Sequence, residues 1–276
     1  LMGSVYALIA VGLTLIFGVM HISNFAHGTL VMVGMYITYW LFSLLGIDPY
    51  IGAFMSALSL FLLGAAIQKY LFRYVMKAHH YIQIILAFGI LIVLENTALF
   101  WWGADFRSVK VDYAFVSIPI GPYAVSVPRL ISFGVAVALT AVLYWFLMQT
   151  DIGLAIRATS KEEQGASLMG ININKIYMIV FGIGSACAGF AGAMITPFFY
   201  ISPDVGNVFL MMAFVVVVLG GMGSFGGALI GGLIIGVIES LAAAFIPGSM
   251  KGFVIYLLFV VMLLLKPTGL FGGKQT

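Results

Sequence analysis

The stretch Gly18 to Gly34 reads GVMHISNFAHGTLVMVG, and it lies between two long apolar runs, Met2 to Met20 and Gly28 to Leu45. Within seven residues it gathers His21, Ser23, Asn24 and His27, all hydrogen-bonding groups that need carry no charge. Each flank approaches the roughly 20 residues, at about 1.5 Å per residue, that cross a hydrocarbon core. The pattern therefore predicts two membrane helices with a polar interruption between them. Such an interruption needs a reason, because unpaired backbone groups at membrane depth are costly unless protein or water satisfies them.

Working outward, the whole chain has the same character. Of its 276 residues, 63% are hydrophobic and only 8% charged, with a mean hydropathy of +1.18; soluble domains carry about 25% charged residues. Further apolar runs fall at Tyr50–Ala66, Tyr81–Trp102, Leu130–Met148, Ile176–Phe199, Val208–Leu219, Ala228–Phe245 and Phe253–Leu265. The expected architecture is an all-α polytopic membrane protein with about eight full transmembrane helices and one short or broken one, forming a single transmembrane domain over 1–276. The runs are apolar throughout rather than alternating, which excludes a β-barrel. The net charge of +3 is no nucleic-acid signal, since the 12 Lys and Arg residues are scattered at segment ends. Cys187 is the sole cysteine, so no internal disulfide exists, and it reads as a small packing residue. The opening LMGSVYALIA shows neither a basic leader nor a small-residue cleavage site, so no signal peptide is expected.

Cations set the orientation. Lys69, Arg73 and Lys77 share one connection, Arg157, Lys161 and Lys175 another, and Lys266 with Lys274 the tail, which makes eight on one side against four on the other. By the positive-inside tendency those three places are cytoplasmic, and the chain then starts outside. Two connections exceed simple turns. The outer one, 103–129, holds Pro119, Pro122 and Pro128 between alternating aliphatic residues and reads as an extended cap with hairpin character. The inner one, 150–175, contains Ser160 three residues before Glu163, a capping box, and Gly170 as a stop, which predicts a short helix over about Lys161–Met169.

The first interruption has a counterpart at LGGMGSFGGALIGG, where a short apolar run stops at Gly221, Gly223 and Ser224 before a helix resumes. Paired interrupted segments in two halves of a transporter point to a translocation path. On that reading Asn24, His27, Gly28, Gly221, Gly223 and Ser224 line or support a route. The same residues also suit a tight turn at the interface, with His27-Gly28 as a C-terminal stop. Metal binding is not expected, because His21 and His27 lack a third ligand. Gly223, Gly227, Gly231, Gly232 and Gly236 recur at spacings that favour close helix packing. Two acids lie inside spans, Glu95 and Glu239. Intramembrane acids are functional hypotheses by default, and a structural role, protonated or paired near a segment end, is the competing reading.

With these elements placed, the chain resembles the permease subunits of branched-chain amino acid ABC importers, the LivH-like side of that family. The likeness rests on GLTLIFGVMHISNFAHG, on AIRATSKEEQGASLMGININK, and on SPDVGNVFLMMAFVVVVLGGMGSFGGALIGGLIIGVIES. It implies a bacterial or archaeal plasma-membrane protein that pairs with a second permease subunit or a copy of itself. It also implies two cytoplasmic ATPase subunits and an extracytoplasmic solute-binding protein as partners. The short inner helix falls where such permeases dock into their ATPase, which nominates Ser160, Glu162, Glu163, Ala166 and Gly170 for coupling. The small-residue face Gly165, Ala166 and Ser167 suits close approach to a groove. No GxxxxGK[ST] sequence is present, so ATP and Mg are expected on partner subunits, with no cofactor in this chain and no catalytic residues. The competing functions are an ion- or proton-coupled carrier or channel, which would lean on Glu95 or Glu239, and an intramembrane enzyme, for which HExxH and GxSxG are both absent.

Overall fold

The computed structural model describes residues 1–120, 123–245, 251–266 and 268–271. Pro122 of the outer connection and Lys274 of the tail lie outside the described residues. Helices α1 (Met2–Met20) and α2 (His27–Leu45) flank the polar interruption. Helix α3 (Pro49–Ile67) runs on through a π-helical turn at Gln68–Phe72 into a last turn, α4 (Arg73–Val75). Helix α5 (His80–Trp102) leads to the outer connection. There a 3-10 turn (Asp112–Phe115) precedes an antiparallel hairpin of β1 (Ser117–Ile120) and β2 (Tyr123–Ser126), with Ser117 opposite Ser126. Then follow α6 (Val127–Gln149), α7 (Asp151–Lys161), α8 (Glu163–Leu168), α9 (Ile173–Ile195), α10 (Val205–Gly220), α11 (Phe225–Phe245) and α12 (Lys251–Leu265).

Seven of the described helices are long and apolar enough to cross a membrane, and α10 and α12 are shorter apolar helices. All nine predicted apolar runs thus fall on helices. The protein is an all-α, multi-pass membrane protein. The packing order follows from burial: the apolar windows of α1 and α9 are 83% and 78% buried, whereas α5 and α6 bury under a third. So α1 and α9 form the centre of the bundle and the latter two its rim.

Small residues set how closely the helices approach. With no hydrophobic driving force inside lipid, backbone-to-backbone contact supplies the packing energy, and only small residues permit it. A methyl group added at Gly3 would come within 2.6 Å of the Gly232 carbonyl, and one added at Gly34 would come equally close to the Gly189 Cα. The glycine ladder of α11 divides its work as its spacing implies: Gly232 and Gly236 face α1, while Gly227 and Gly231 face Gly220 of α10. Hydroxyls then bridge the seams. Ser56 Oγ on α3 donates to the Gly34 carbonyl (3.2 Å) or the Gly189 carbonyl (3.1 Å), and Ser132 on α6 reaches the Met194 carbonyl at 2.9 Å.

The two ends of the bundle differ in charge. Arg73 and Lys77 share a cavity with Glu163 and Ser167, and the α7–α8 pair meets the last turn of α1. The tail closes on the same end, with the amides of Leu270 and Phe271 donating to the Leu219 and Gly220 carbonyls of α10. The basic segments read from the sequence therefore share one end, and the start of α1 lies at the other. That other end is stapled by the outer connection. Asp48 caps α3 through the Tyr50 amide (2.9 Å) and accepts a 2.6 Å hydrogen bond from Tyr113. Burial, and then that bond, hold the Tyr113 phenol above its usual pKa. Arg107 donates to the Trp102 carbonyl at 2.8 Å, lies over the rings of Tyr39 and Trp40, and pairs by backbone with Ile201.

Candidate functional site

The opening interruption is a true break at depth. Helix α1 stops at His21, whose left-handed φ of 54° ends it with a hydrogen bond from the His21 amide to the Phe17 carbonyl at 2.8 Å. Asn24 then nucleates a turn: its side-chain oxygen accepts from the Ala26 amide (3.2 Å) and its carbonyl from the His27 amide (3.2 Å). Asn24 and His27 are fully buried. His27 therefore opens α2 instead of stopping a helix, which overturns the interfacial-turn role for His27-Gly28. The αL stop belongs to His21.

His27 Nε2 lies 3.0 Å from the Ile9 carbonyl. A carbonyl only accepts, so this nitrogen carries the hydrogen and Nδ1 is the acceptor. Ile9 stands eleven residues before Met20, about 16 Å of helix, which is half of a hydrocarbon core of about 30 Å. The chain thus climbs back from the basic end to mid-depth before α2 begins. Gly28 permits this placement, since a methyl group there would meet the Gly206 carbonyl and Leu210 of α10. Two polar atoms here have no partner among the described residues, Asn24 Nδ2 and His27 Nδ1. Phe25, which the sequence reading did not single out, closes the flank by stacking on Phe88 of α5 at 4.6 Å and leaning on Phe214 of α10 at 5.0 Å.

The second interruption is different in kind. Gly221 and Gly223, at φ 98° and 85°, turn the chain between antiparallel α10 and α11, and Ser224 Oγ caps α11 through the Gly227 amide at 3.1 Å. This turn sits at the basic end, against Gly18 of α1. The structure does not bring Gly221, Gly223 and Ser224 together with Asn24, His27 and Gly28. The two groups lie at different depths along α1.

In the connection 150–175 the structure holds two helices where the sequence reading expects one. Thr150 caps α7 by accepting from the Gly153 amide at 3.0 Å, and Asp151 follows at the favourable first position. The capping box does not form. Ser160 remains inside α7, and its hydroxyl donates at 2.6 Å to the Gly18 carbonyl. That carbonyl is one of the last four of α1, which have no partner inside their own helix. A tertiary acceptor therefore takes the hydroxyl that a local cap would use. Glu162, in extended conformation, caps α8 instead, accepting from the Gln164 amide at 3.3 Å, and Glu163 hydrogen-bonds Tyr177 of α9. Gly170 ends α8 as the spacing predicts. At φ 85° it forms a Schellman motif, Ile171 amide to Ala166 carbonyl at 3.2 Å and Gly170 amide to Ser167 carbonyl at 3.0 Å. Ala166 is 5% exposed and so presents no surface to a partner. In so short a helix one face must pack on the protein, and Ala166 is on it. The bare apolar residues are Leu168 and Met169, 89% and 83% exposed.

The intramembrane acids are separated. Glu239 on α11 interacts with the Tyr6 hydroxyl on α1. Glu95 is half-buried on α5 and borders a cavity of about 260 Å³ with Asn96 and Asp204 near the outer connection. Among the described residues no three His, Cys, Asp or Glu side chains converge as a metal site would need.

The family described as "Branched-chain amino acid transport system / permease component" matches residues 1–263. The chain belongs to this permease family. Its similarity to the high-affinity branched-chain amino acid permease LivH of Escherichia coli K12 is 33% identity, covering 99% of this chain and 93% of that protein. LivH of Salmonella typhimurium is 32% identical with the same coverage, and BraD of Pseudomonas aeruginosa 30% identical, again over 99% and 93%. No solved structure matches the chain. Family membership makes this a transport component that works beside partner subunits.

Proposed function

We propose that this chain is the membrane-spanning permease subunit of an ATP-driven, binding-protein-dependent importer of branched-chain amino acids in a bacterial or archaeal plasma membrane. The whole of 1–276 acts as one permease domain. It pairs with a second permease subunit, binds two cytoplasmic ATPases that hold ATP and Mg, and takes solute from an extracytoplasmic binding protein. The observation that carries the mechanism is the Ser160 to Gly18 hydrogen bond. It joins the cytoplasmic α7–α8 pair to the end of α1, immediately before the break.

On this reading Leu168 and Met169 are the apolar contact for an ATPase groove, since bare apolar side chains clustered outside the spans mark a docking surface. Glu162, Glu163 and Gly170 fix the shape of α8, Ala166 seats it on the permease, and Ser160 passes its movement to α1. The route descends past Asn24, His27 and Gly28 to Gly221, Gly223 and Ser224. The test is uptake into vesicles holding the whole complex, with the binding protein exchanged for one of different specificity. Preference should follow the binding protein and require ATP. Uptake without ATP, or a preference unmoved by the exchange, overturns the proposal in favour of a coupled carrier using Glu95 or Glu239.

A further inference from the structure

A cavity of about 330 Å³ lies between α1, α6, α7 and the start of α11, on the opposite face of α1 from His27. Its walls are mostly apolar, with Leu147 and the paired rings of Tyr144 and Phe225, 5.8 Å apart. At its polar end stands Thr14, 2% exposed, whose hydroxyl has no partner among the described residues. Arg157 borders the same space; one of its terminal nitrogens donates to the Met148 carbonyl at 3.2 Å, and its buried Nε has no partner among the described residues. Gly226, in the first turn of the 21-residue helix α11, completes the rim, so the positive end of that helix faces in. None of the residues described as lining the cavity is acidic.

Unused donors, a permanent cation and a helix N-terminus in one place favour an oxyanion, and the apolar walls favour one attached to an aliphatic chain. We propose that this notch binds an alkyl-bearing oxyanion, a carboxylate or a phosphate, with Arg157 and Thr14 as its direct ligands. Two sources share that chemistry: the carboxylate of an aliphatic amino acid leaving toward the cytoplasm, which rests on the import reading above, and the phosphate of a membrane lipid.

The experiment follows thiol labelling of Met148→Cys, in a Cys187→Ala background, in the detergent-solubilised complex with its ATPases. The probes are leucine, 4-methylpentanoate, leucinol, phosphatidylglycerol and diacylglycerol. Labelling should slow at least threefold with leucine and 4-methylpentanoate but not with leucinol if the solute is the source. It should slow with phosphatidylglycerol but not diacylglycerol if the lipid is. Arg157→Gln should abolish either protection, and Thr14→Val should weaken it. Equal protection by leucinol or diacylglycerol, no protection by any probe, or protection that survives Arg157→Gln overturns the inference. Leucine uptake by the same complex reconstituted into vesicles is measured in parallel, so failure of the notch and failure of the import reading are told apart.

Discussion

Replacing Ser160 with alanine deletes one hydroxyl and leaves the fold of α7 otherwise intact, because alanine is the better helix former. What is lost is the 2.6 Å bond to the Gly18 carbonyl, at a half-buried site where α1 supplies no donor of its own. A net hydrogen bond contributes about 0.5–1.5 kcal/mol, and orphaning its acceptor raises the cost to about 1–3 kcal/mol. Some water reaches this carbonyl, so a value near 1.4 kcal/mol, which is about tenfold in an equilibrium, is the working magnitude. If the bond holds α7 to α1 while the ATPase moves, solute transported per ATP hydrolysed should fall about tenfold in Ser160→Ala. ATPase retention during purification should not change, since Leu168 and Met169 are untouched. Ser160→Thr keeps the hydroxyl and should restore most of the ratio. An unchanged ratio in Ser160→Ala refutes the reasoning, and so does a loss of bound ATPase in proportion to the loss of uptake.

Three further changes probe the same scaffold. Gly170→Val places a β-branched residue at φ 85°, a strain of about 1–3 kcal/mol; substrate-stimulated hydrolysis and uptake should drop several-fold with normal membrane insertion, and full uptake would remove Gly170 from the coupling element. His27→Leu removes the second hydrogen bond of the Ile9 carbonyl, which keeps its intrahelical one, at full burial and should lower the melting temperature of the purified complex as well as uptake, while His27→Gln, which keeps a donor, should recover part of both; equal behaviour of the two variants would show that packing rather than the hydrogen bond matters there. Gly28→Val drives a side chain into the Gly206 backbone and should abolish folded yield, whereas Gly89→Val, on a helix face with open space, should express like the parent.

The sequence made the membrane helices legible because burial in lipid requires continuous apolar runs, and these are visible without tertiary information. It also exposed the first break, since Asn24 and His27 have no reason to lie between two such runs unless backbone must be satisfied there. What it concealed was partner choice. Ser160 and Glu163 have the spacing of a cap, but the hydroxyl is spent on a carbonyl 142 residues away, a fact no local pattern carries. The small face of α8 looked free for a partner until Ala166 proved buried, because six residues do not reveal which side will pack. Helix α7 was hidden for another reason: it is neither apolar enough for a span nor flanked by a strong stop, although Thr150 with Asp151 is a readable start. The glycines at 221 and 223 signal a reversal but not its depth.

Helix α1 is held by two polar clamps, the His27 ring on the Ile9 carbonyl and the Ser160 hydroxyl on the Gly18 carbonyl. Nine residues separate the two acceptors, about 14 Å along the axis and two and a half turns, so the clamps grip opposite faces. Between them the contacts are close and mostly apolar, with Gly12 against Gly184 and Cys187. Such a helix transmits displacement as a rod, since close-packed interiors do not deform continuously. If α1 carries motion from the cytoplasmic pair to the mid-depth break, the two clamps act in series on transport. Losing either one then uncouples the same motion, and losing both costs little more. Sites farther apart than about 7–10 Å with no shared partner ordinarily add within about 0.3–0.5 kcal/mol. The double-mutant cycle of Ser160→Ala and His27→Leu should therefore be additive in thermal stability, where the clamps are independent, and sub-additive by about 1 kcal/mol in solute transported per ATP. Additivity in both quantities would mean that α1 is a passive core helix and that the ATPase stroke reaches the break by another path.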